Sequence, residues 1–126
     1  MLQPHNKFQA VYELVCQIPA GQVASYGMIE KLLKGVTARM VGYAMAATPA
    51  GEGIPWQRVI NSQGKISERD GAERQRAKLE AEGIVFSKSG KVNWANCRWQ
   101  GPSEAWLDAN KIEFMDYLEI QSRWPA

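Results

Sequence analysis

Few side chains in this sequence could attack an electrophile or bind a metal. The 126 residues include two cysteines, Cys16 and Cys97, and one histidine. The cysteines lie far apart without the spacing of metal ligands, so the sequence predicts no disulfide framework, no metal site and no cofactor. Cys16 falls in an apolar helical pattern and is predicted to be a small buried core residue. Cys97, beside Arg98, is interpreted as incidental, with a functional nucleophile as the alternative.

Composition and charge restrict the class of protein. With 45% hydrophobic and 22% charged residues, the chain has the composition of one globular domain. No apolar run approaches the ~20 residues that span a bilayer, and the N-terminus lacks the pattern of a signal peptide. We therefore expect a cytoplasmic protein, of bacterial type, with no membrane partner. Residues 1–99 hold thirteen Lys and Arg against eight Asp and Glu (+5), whereas residues 100–126 hold two against five (−3). The first part could therefore face a polyanion.

Two helices are predicted near the start of the chain. Apolar residues recur at helical spacing over residues 7–17, and this helix stops before Pro19. After a turn, Ser25 can cap a second helix over residues 26–33. Gly35 is expected to end that helix in a left-handed conformation.

A third helix follows directly. Thr37 can cap it, and residues 38–47 carry one apolar face formed by Val41, Ala44 and Met45. Two short helices joined by a tight turn after a longer helix form the helix-turn-helix arrangement, in which the third helix normally contacts DNA.

The next segment predicts a small hairpin, a charged helix and a second hairpin. Residues 61–64 read as a turn between short strands at 59–60 and 65–66. Residues 84–86 and 91–94 predict another hairpin. Between the hairpins, a capping box of Asp70 and Glu73 starts a helix over residues 74–82 that Gly83 ends. The expected fold is mainly helical with small β-hairpins, a winged helix-turn-helix domain.

Three segments then resemble one protein family: residues 18–27 (IPAGQVASYG), 37–45 (TARMVGYAM) and 54–60 (IPWQRVI). In order and spacing they are similar to the C-terminal domain of O6-alkylguanine-DNA alkyltransferases, over about residues 7–94. Alkyltransferases place a Cys-His pair where this chain has Trp56 and Gln57. The resemblance is thus to the alkyltransferase-like proteins, the non-enzymatic relatives in which tryptophan replaces the cysteine. The residue after that tryptophan is commonly His, so Gln57 is a further departure.

The chemistry of Trp56 and Gln57 agrees with a loop that binds without reacting. Dealkylation needs a thiolate and a base that favours it. An indole is no nucleophile at neutral pH, and an amide takes up no proton. Trp56 can instead form an aromatic wall against an extruded alkylated base. Outside this motif a core position for Trp56 would be the simpler interpretation.

The resemblance also implies roles for other residues. Arg39 matches the arginine finger that fills the gap left by a flipped base, and Tyr26 matches the tyrosine that helps rotate the target nucleotide. Gly42 would let the DNA backbone approach closely. The full expected set comprises the lesion pocket (Tyr26, Trp56, Val59, Ser67 and Arg69), the DNA-binding helix (Thr37, Ala38, Arg39 and Gly42) and the supports of the loop (Gln57, Arg58 and Asn61).

The implied function is recognition of O6-alkylguanine in double-stranded DNA by a monomer, without reaction. The bound complex would mark the lesion for a nucleotide-excision-repair damage sensor. Two alternatives stay open: an active alkyltransferase that uses another residue, and a winged-helix regulator that binds a preferred sequence. Residues 1–99 are expected to form the alkyltransferase-like domain. Residues 100–126 are expected to be an acidic, aromatic extension, with one helix beginning near Ser103 and packed on that domain.

Overall fold

The computed structural model describes residues 6–125, and the predicted segments 1–99 and 100–126 extend beyond it at their outer ends. Its first helix, α1, spans Asn6–Val15 and buries Val11, Leu14 and Val15. This confirms the helix predicted over residues 7–17. Cys16 is exposed, contrary to the expected core position. The reason is helical spacing: position 16 continues the solvent face of Gln9 and Glu13 rather than the buried face.

The helix-turn-helix is present, with a shorter second helix than predicted. Strand β1, Ala24–Ser25, runs into α2, Tyr26–Lys31, and the Ser25 hydroxyl accepts the Met28 N–H at 3.1 Å as the N-cap. Helix α2 ends before residue 33 because the N–H groups of Leu32 and Leu33 bond three residues back, which tightens the last turn. Gly35 has a positive φ of 69°, but it lies in the connecting turn rather than at the helix end.

Helix α3, Ala38–Ala46, matches its prediction closely. The Thr37 hydroxyl accepts the Met40 N–H at 3.1 Å, and Val41, Ala44 and Met45 are buried. The Tyr12 hydroxyl donates to the Ala44 carbonyl at 2.9 Å, which fastens α1 to α3. The three helices therefore pack around one core.

The predicted hairpin at residues 59–66 is wrong. Strand β2, Val59–Ile60, instead pairs in parallel with β1, with Ala24 opposite Val59 and Ser25 opposite Ile60. All four of these residues are buried, as expected for a strand pair covered on both faces and not for a half-exposed hairpin. Residues 61–64 do form the predicted turn.

The second predicted hairpin, at residues 84–94, is also not formed. The turn between Ser87 and Lys91 exists, but Lys91 makes an isolated antiparallel bridge with Lys65. Residues Trp94–Cys97 form a short helix, α5, because the Asn93 side chain accepts the Ala95 N–H and caps it. The fold is thus mainly helical with a two-stranded parallel sheet.

Helix α4, Ala72–Ala81, follows Gly71, which has a φ of 90° and serves as the N-cap. The predicted capping box is absent, because the chain at Gly71 adopts a conformation that favours glycine and makes no side-chain cap. At the other end Gly83, with a φ of 94°, closes α4 as predicted. The N–H groups of Gly83 and Ile84 bond back to Glu80 and Leu79 in a Schellman motif.

The last part of the chain forms two helices rather than the single predicted one. Helix α6, Glu104–Ala109, begins at the N-cap Ser103, and α7 spans Phe114–Gln121. Lys111, with a φ of 59°, breaks the helical path between them. The main core is the cluster of α1, α2 and α3 side chains that includes Val11, Leu14, Ile29, Val41 and Ala44. Three large side chains anchor this last region in it: Leu107, Tyr117 and Trp124.

No helix in residues 6–125 reaches the length and apolarity required to cross a membrane, since the longest have 10 residues. The same part of the chain contains no group of three His, Cys, Asp or Glu that could hold a metal ion. A second, smaller core lies under α4 and is formed by Val23, Ile60, Leu79, Ile84, Val92 and Cys97.

Candidate nucleic-acid interface

The loop that ends in β2 places Trp56 beside an open cavity. Residues Trp56–Arg58 form a single 3-10 turn after the buried Pro55. Trp56 is half-buried and packs one side against the main core. The cavity measures about 570 Å³, within the ~300–1,000 Å³ typical of small-molecule sites. It is lined by Thr48, Pro49, Ala50, Gly51, Gly53, Ile54, Pro55, Trp56, Gln57, Arg58, Arg74 and Lys78.

Helix α4 contributes the charged wall of this cavity. The Arg74 guanidinium carbon lies 5.3 Å from the centre of the Trp56 ring, a cation–π contact. Lys78 lies one helical turn further along α4, on the same side. The cavity therefore combines an aromatic wall with a cationic one.

The Glu82 carboxylate binds two residues of the Trp56–Arg58 turn. Its carboxylate accepts hydrogen bonds from Arg58 Nε at 3.0 and 3.1 Å and from Arg58 Nη2 at 3.0 Å. It also accepts from Gln57 Nε2 at 2.9 Å and from the Gly21 N–H at 3.2 Å. Burial raises the pKa of Glu82, but the hydrogen bonds from Arg58, Gln57 and Gly21 outweigh it, so the pKa lies below its usual value. Glu82 is thus an ionised acceptor at neutral pH.

Arg58 joins this carboxylate to the first helix region. Its Nη1 donates to the Ile18 carbonyl at 2.8 Å, while the ion pair with Glu82 leaves only 19% and 13% of the two side chains exposed. These contacts join the Trp56–Arg58 turn to Ile18 and Glu82. Gln57, where a base would stand in a transferase, donates to Glu82 through its amide and has no basic atom to offer.

Gln75 braces the same loop from α4 and is 1% exposed. Its Nε2 donates to the carbonyls of Gln57 at 3.1 Å and Val59 at 3.0 Å, on either side of Arg58. Its Oε1 accepts from Arg69 Nη2 at 3.0 Å. Sequence reasoning missed both Gln75 and Glu82. The signal for Gln75 was its spacing of four residues from the buried Leu79, which places it on the buried face of α4.

The structure separates the other expected pocket residues. Tyr26 is the first residue of α2 and is half-buried against the main core. Val59 is fully buried in β2, so its side chain faces the core and not an open surface. Ser67 lines a different cavity of about 460 Å³, together with Asn61. Arg69 is exposed and bonded to Gln75.

Asn61 closes the turn after β2. Its side-chain oxygen accepts the N–H groups of Gln63 and Lys65, each at 3.0 Å, which is the geometry of an Asx turn. This turn directs the chain from β2 toward the segment that contains Ser67 and Arg69.

The exposed face of α3 is open around Arg39. Its guanidinium carbon lies 6.0 Å from the ring of Tyr43, which is 56% exposed. A Cβ added to Gly42 would meet no atom within 4 Å, so the surface beside this residue is free of other parts of the described chain. Thr37 is exposed and Ala38 half-buried at the start of the helix. The start of α3 can therefore approach a large partner.

Neither cysteine belongs to the cavity. Cys97 is buried in the smaller core, and burial raises the pKa of its thiol. Cys16 is exposed, but partial desolvation still raises the pKa of its thiol, while Arg58 opposes the shift and Glu13 adds to it. A thiol with a raised pKa is mostly protonated at neutral pH and is a poor nucleophile.

Comparison with known proteins identifies the family. Residues 6–84 match the family described as "6-O-methylguanine DNA methyltransferase, DNA binding domain". A "DNA base-flipping protein" of Vibrio parahaemolyticus is 48% identical over 94 residues, which are 71% of this chain and 92% of that protein. "Alkyltransferase-like protein 1" of Schizosaccharomyces pombe is 39% identical over 101 residues, 74% of this chain and 94% of the relative. The chain belongs to the alkyltransferase-like family.

Solved structures agree with this membership. The Schizosaccharomyces pombe alkyltransferase-like protein Atl1, crystallised with damaged DNA containing O6-carboxymethylguanine, superposes with a TM-score of 0.69 at 38% identity. The match covers 79% of this chain and 99% of Atl1. The O6-methylguanine methyltransferase of Mycobacterium tuberculosis gives a TM-score of 0.55 at 35% identity, over 65% of this chain and 51% of the transferase. The predicted family and fold class are thereby confirmed, and alkyltransferase-like proteins are a non-enzymatic class.

Proposed function

We propose that this alkyltransferase-like protein recognises O6-alkylguanine in double-stranded DNA by rotating the base out of the duplex and holding it beside Trp56, without reaction. The observation that carries the proposal is the composition of the cavity. It offers an aromatic ring and three cations, of which Arg58 is paired with Glu82, and its lining contains neither a thiol nor an imidazole. Such a cavity can contact an alkylated purine with its aromatic wall, and it has no nucleophile that could take the alkyl group.

The approach to DNA would use the start of α3. A flipped base leaves a gap in the duplex, and the exposed Arg39 side chain is long enough to fill that gap and to donate to the orphaned partner. Thr37 and Ala38 would contact the adjacent backbone, and the open surface at Gly42 would let the DNA come close. Tyr26, at the first position of α2, would help rotate the target nucleotide.

Two further roles complete the proposal. Arg69, exposed beside the loop, would contact the modified base from the segment that contains Ser67. Because the alkyl group stays on the DNA, another protein must remove the lesion. We propose that the complex of one protein molecule with bent DNA is the signal for a nucleotide-excision-repair damage sensor.

A titration with matched duplexes tests recognition. The protein is titrated by fluorescence anisotropy against duplexes that contain guanine or O6-methylguanine at one position, and the recovered DNA is analysed for the alkyl group. We expect tighter binding to the lesion duplex and full retention of the alkyl group. Equal affinity for both duplexes would contradict lesion recognition and favour a sequence-specific regulator. Loss of the alkyl group would contradict binding without reaction.

The signalling role needs its own measurement. The lesion duplex, this protein and a purified excision-repair damage sensor are combined, and ternary complexes are sought by gel shift. We expect the sensor to bind the protein-bound lesion duplex more tightly than the naked one. Equal binding of the sensor to both would contradict the role in excision repair while leaving lesion recognition intact.

A further inference from the structure

Two cations of the cavity beside Trp56 have no acidic partner. Arg74 and Lys78 both line it, four residues apart on α4. Within residues 7–125, neither side chain has a carboxylate within ion-pair distance, whereas their neighbour Arg76 pairs with Glu80 at 3.3 Å. Unpaired cations on one wall of a cavity leave its positive field uncompensated.

The rest of the cavity wall does not offset this charge. No Asp or Glu is among its lining residues. Arg58, the third cation of the lining, is already neutralised by Glu82 at 3.0 Å. Formal charge at the cavity is therefore positive and resides on Arg74 and Lys78.

Arg74 also contacts Trp56. Its guanidinium lies over the indole ring at 5.3 Å, so the cation stands directly at the aromatic wall. A guanidinium in such a contact can still donate from its edge to a carboxylate. The wall that would contact an alkylated base thus also presents hydrogen-bond donors to the alkyl group on that base.

We propose that this cavity favours O6-alkylguanine adducts whose alkyl arm ends in an anionic group, such as a carboxylate, over neutral adducts of similar length. Arg74 and Lys78 are the residues that determine this preference, by donating charge-assisted hydrogen bonds to the anionic oxygens. The inference rests on the proposed function, because it requires the flipped base to lie beside Trp56.

An anionic oxygen near these cations could also belong to the DNA backbone. A phosphate contact would strengthen binding to every duplex equally, since it is independent of the base. A contact with the adduct would strengthen binding only to the carboxylated lesion. The two sources are therefore separated by comparing duplexes that differ in the adduct alone.

The experiment uses three duplexes of one sequence, with guanine, O6-propylguanine or O6-carboxymethylguanine at the same position. Affinities are measured by anisotropy for the wild type, Arg74→Gln, Lys78→Gln and a control, Lys88→Gln. Lys88 is an exposed lysine in the turn that precedes Lys91, so its replacement removes the same charge away from the cavity. Thermal denaturation of each variant checks that it is folded.

We expect the wild type to bind the carboxymethyl duplex about five-fold more tightly than the propyl duplex, the effect of one partly exposed ion pair. Arg74→Gln and Lys78→Gln should each reduce this ratio toward one, and Lys88→Gln should leave it unchanged. The ratio in the wild type should also fall as salt is raised, because salt screens the exposed charges.

Several outcomes would overturn the proposal. A wild-type ratio near one would do so without any variant. Equal weakening of all three duplexes by Arg74→Gln and Lys78→Gln would assign these cations to the phosphate backbone instead. Either of these two results can be found while the wild type still binds the propyl duplex more tightly than the guanine duplex. Lesion recognition then stands and only the anionic preference fails. If neither lesion duplex binds more tightly than the guanine duplex, the proposed function itself fails.

Discussion

Arg69 Nη2 donates a hydrogen bond of 3.0 Å to the side-chain oxygen of Gln75, and through this bond an exposed arginine is joined to the backbone of the Trp56 loop. Gln75 contacts that backbone directly, since its amide nitrogen donates to the carbonyls of Gln57 and Val59. All the strong hydrogen-bonding positions of this carboxamide except one acceptor site are therefore used.

Replacement of Gln75 should lower the free energy of unfolding. Gln75→Leu leaves the carbonyls of Gln57 and Val59 without their donor, and we expect a loss of at least ~2 kcal/mol because each unsatisfied buried group costs about 1–3 kcal/mol. Urea denaturation measures the change. Lys78→Gln, at an exposed position of the same helix, is the control, with an expected change within about 0.5 kcal/mol. Equal stability of Gln75→Leu and the wild type would show that the loop does not depend on this brace.

Glu82 should make stability depend on pH in one direction. Its pKa is lower in the folded protein than in the unfolded chain, so its contribution is fully present above the unfolded value, about 4.3, and is lost as pH falls through the folded value. Glu82→Gln removes the charge that Arg58 and Gln57 contact. We expect this variant to be about 1–3 kcal/mol less stable than the wild type at pH 7, with the difference shrinking below about pH 4.3.

The control for Glu82 lies two residues before it. Glu80 pairs with Arg76, but about half of each side chain is exposed, at 51% and 46%. Glu80→Gln should therefore change the free energy of unfolding by less than ~0.5 kcal/mol at any pH. A difference between Glu82→Gln and the wild type that grows on acidification would contradict the assigned pKa direction.

Trp56→Cys alone should create at most a slow alkyltransferase. The new thiol would stand beside Gln57, whose amide donates to Glu82 and cannot take up a proton. The double variant Trp56→Cys with Gln57→His would supply a base at the position where the transferases have one. Intact-protein mass after incubation with O6-methylguanine DNA should show transfer for the double variant and much slower transfer for the single one. Comparable rates for both would mean that the residue at position 57 does not decide reactivity.

Arg39→Ala should weaken binding to a lesion duplex by at least ~1 kcal/mol, because the gap left by the flipped base loses its filling side chain. Stability should be unaffected, since Arg39 is exposed and its guanidinium carbon lies a full 6.0 Å from the ring of Tyr43. Anisotropy titrations of Arg39→Ala and the distant Lys88→Ala compare loss of the finger with loss of an unrelated charge. Wild-type affinity in Arg39→Ala would remove this residue from the proposed interface.

Trp124 should be a large contributor to stability although it lies near the chain end. It stacks on Trp99 with ring centres 5.8 Å apart and an angle of 15° between the rings, and only 7% of Trp124 is exposed. Trp124→Ala should cost about 3–5 kcal/mol, as for other buried tryptophans. Met115→Ala, at a position 73% exposed, should change stability by less than ~0.5 kcal/mol. Similar effects of the two substitutions would show that the Trp99 stack contributes little.

Local signals explain which parts of the fold could be predicted. Ser25, Thr37 and Ser103 act as N-caps because their side chains bond within three residues, and such short-range chemistry is visible in the sequence. The parallel pair β1–β2 joins segments more than thirty residues apart, and each strand has only two residues. Strands this short show no alternation, so the pairing could not be read from the pattern.

The sequence likewise predicted only part of the candidate site. The motif around Trp56 predicted the loop, but the side chains that hold this loop, Gln75 and Glu82, come from α4 and the residue after it. Gln75 stands in a charged helix whose exposed residues dominate its pattern, and Glu82 follows that helix directly, so the burial of Gln75 and the contacts of Glu82 depend on tertiary packing. Arg74 and Lys78 likewise become cavity residues only because α4 packs against the Trp56–Arg58 turn.

The ladder that pairs Ala24 with Val59 and Ser25 with Ile60 has a consequence for how damaged DNA is told from intact DNA. Ser25 leads directly into Tyr26, and the Trp56–Arg58 turn leads directly into β2, so one short ladder keeps both segments in a common framework before any DNA is bound. A protein that is already ordered loses little conformational freedom on association. Most of the free energy that binding requires is then spent on opening the duplex, where a damaged base pair opens more easily than an intact one. Damaged and intact base pairs would thus be distinguished first by how easily the duplex opens, before the base contacts the Trp56 indole.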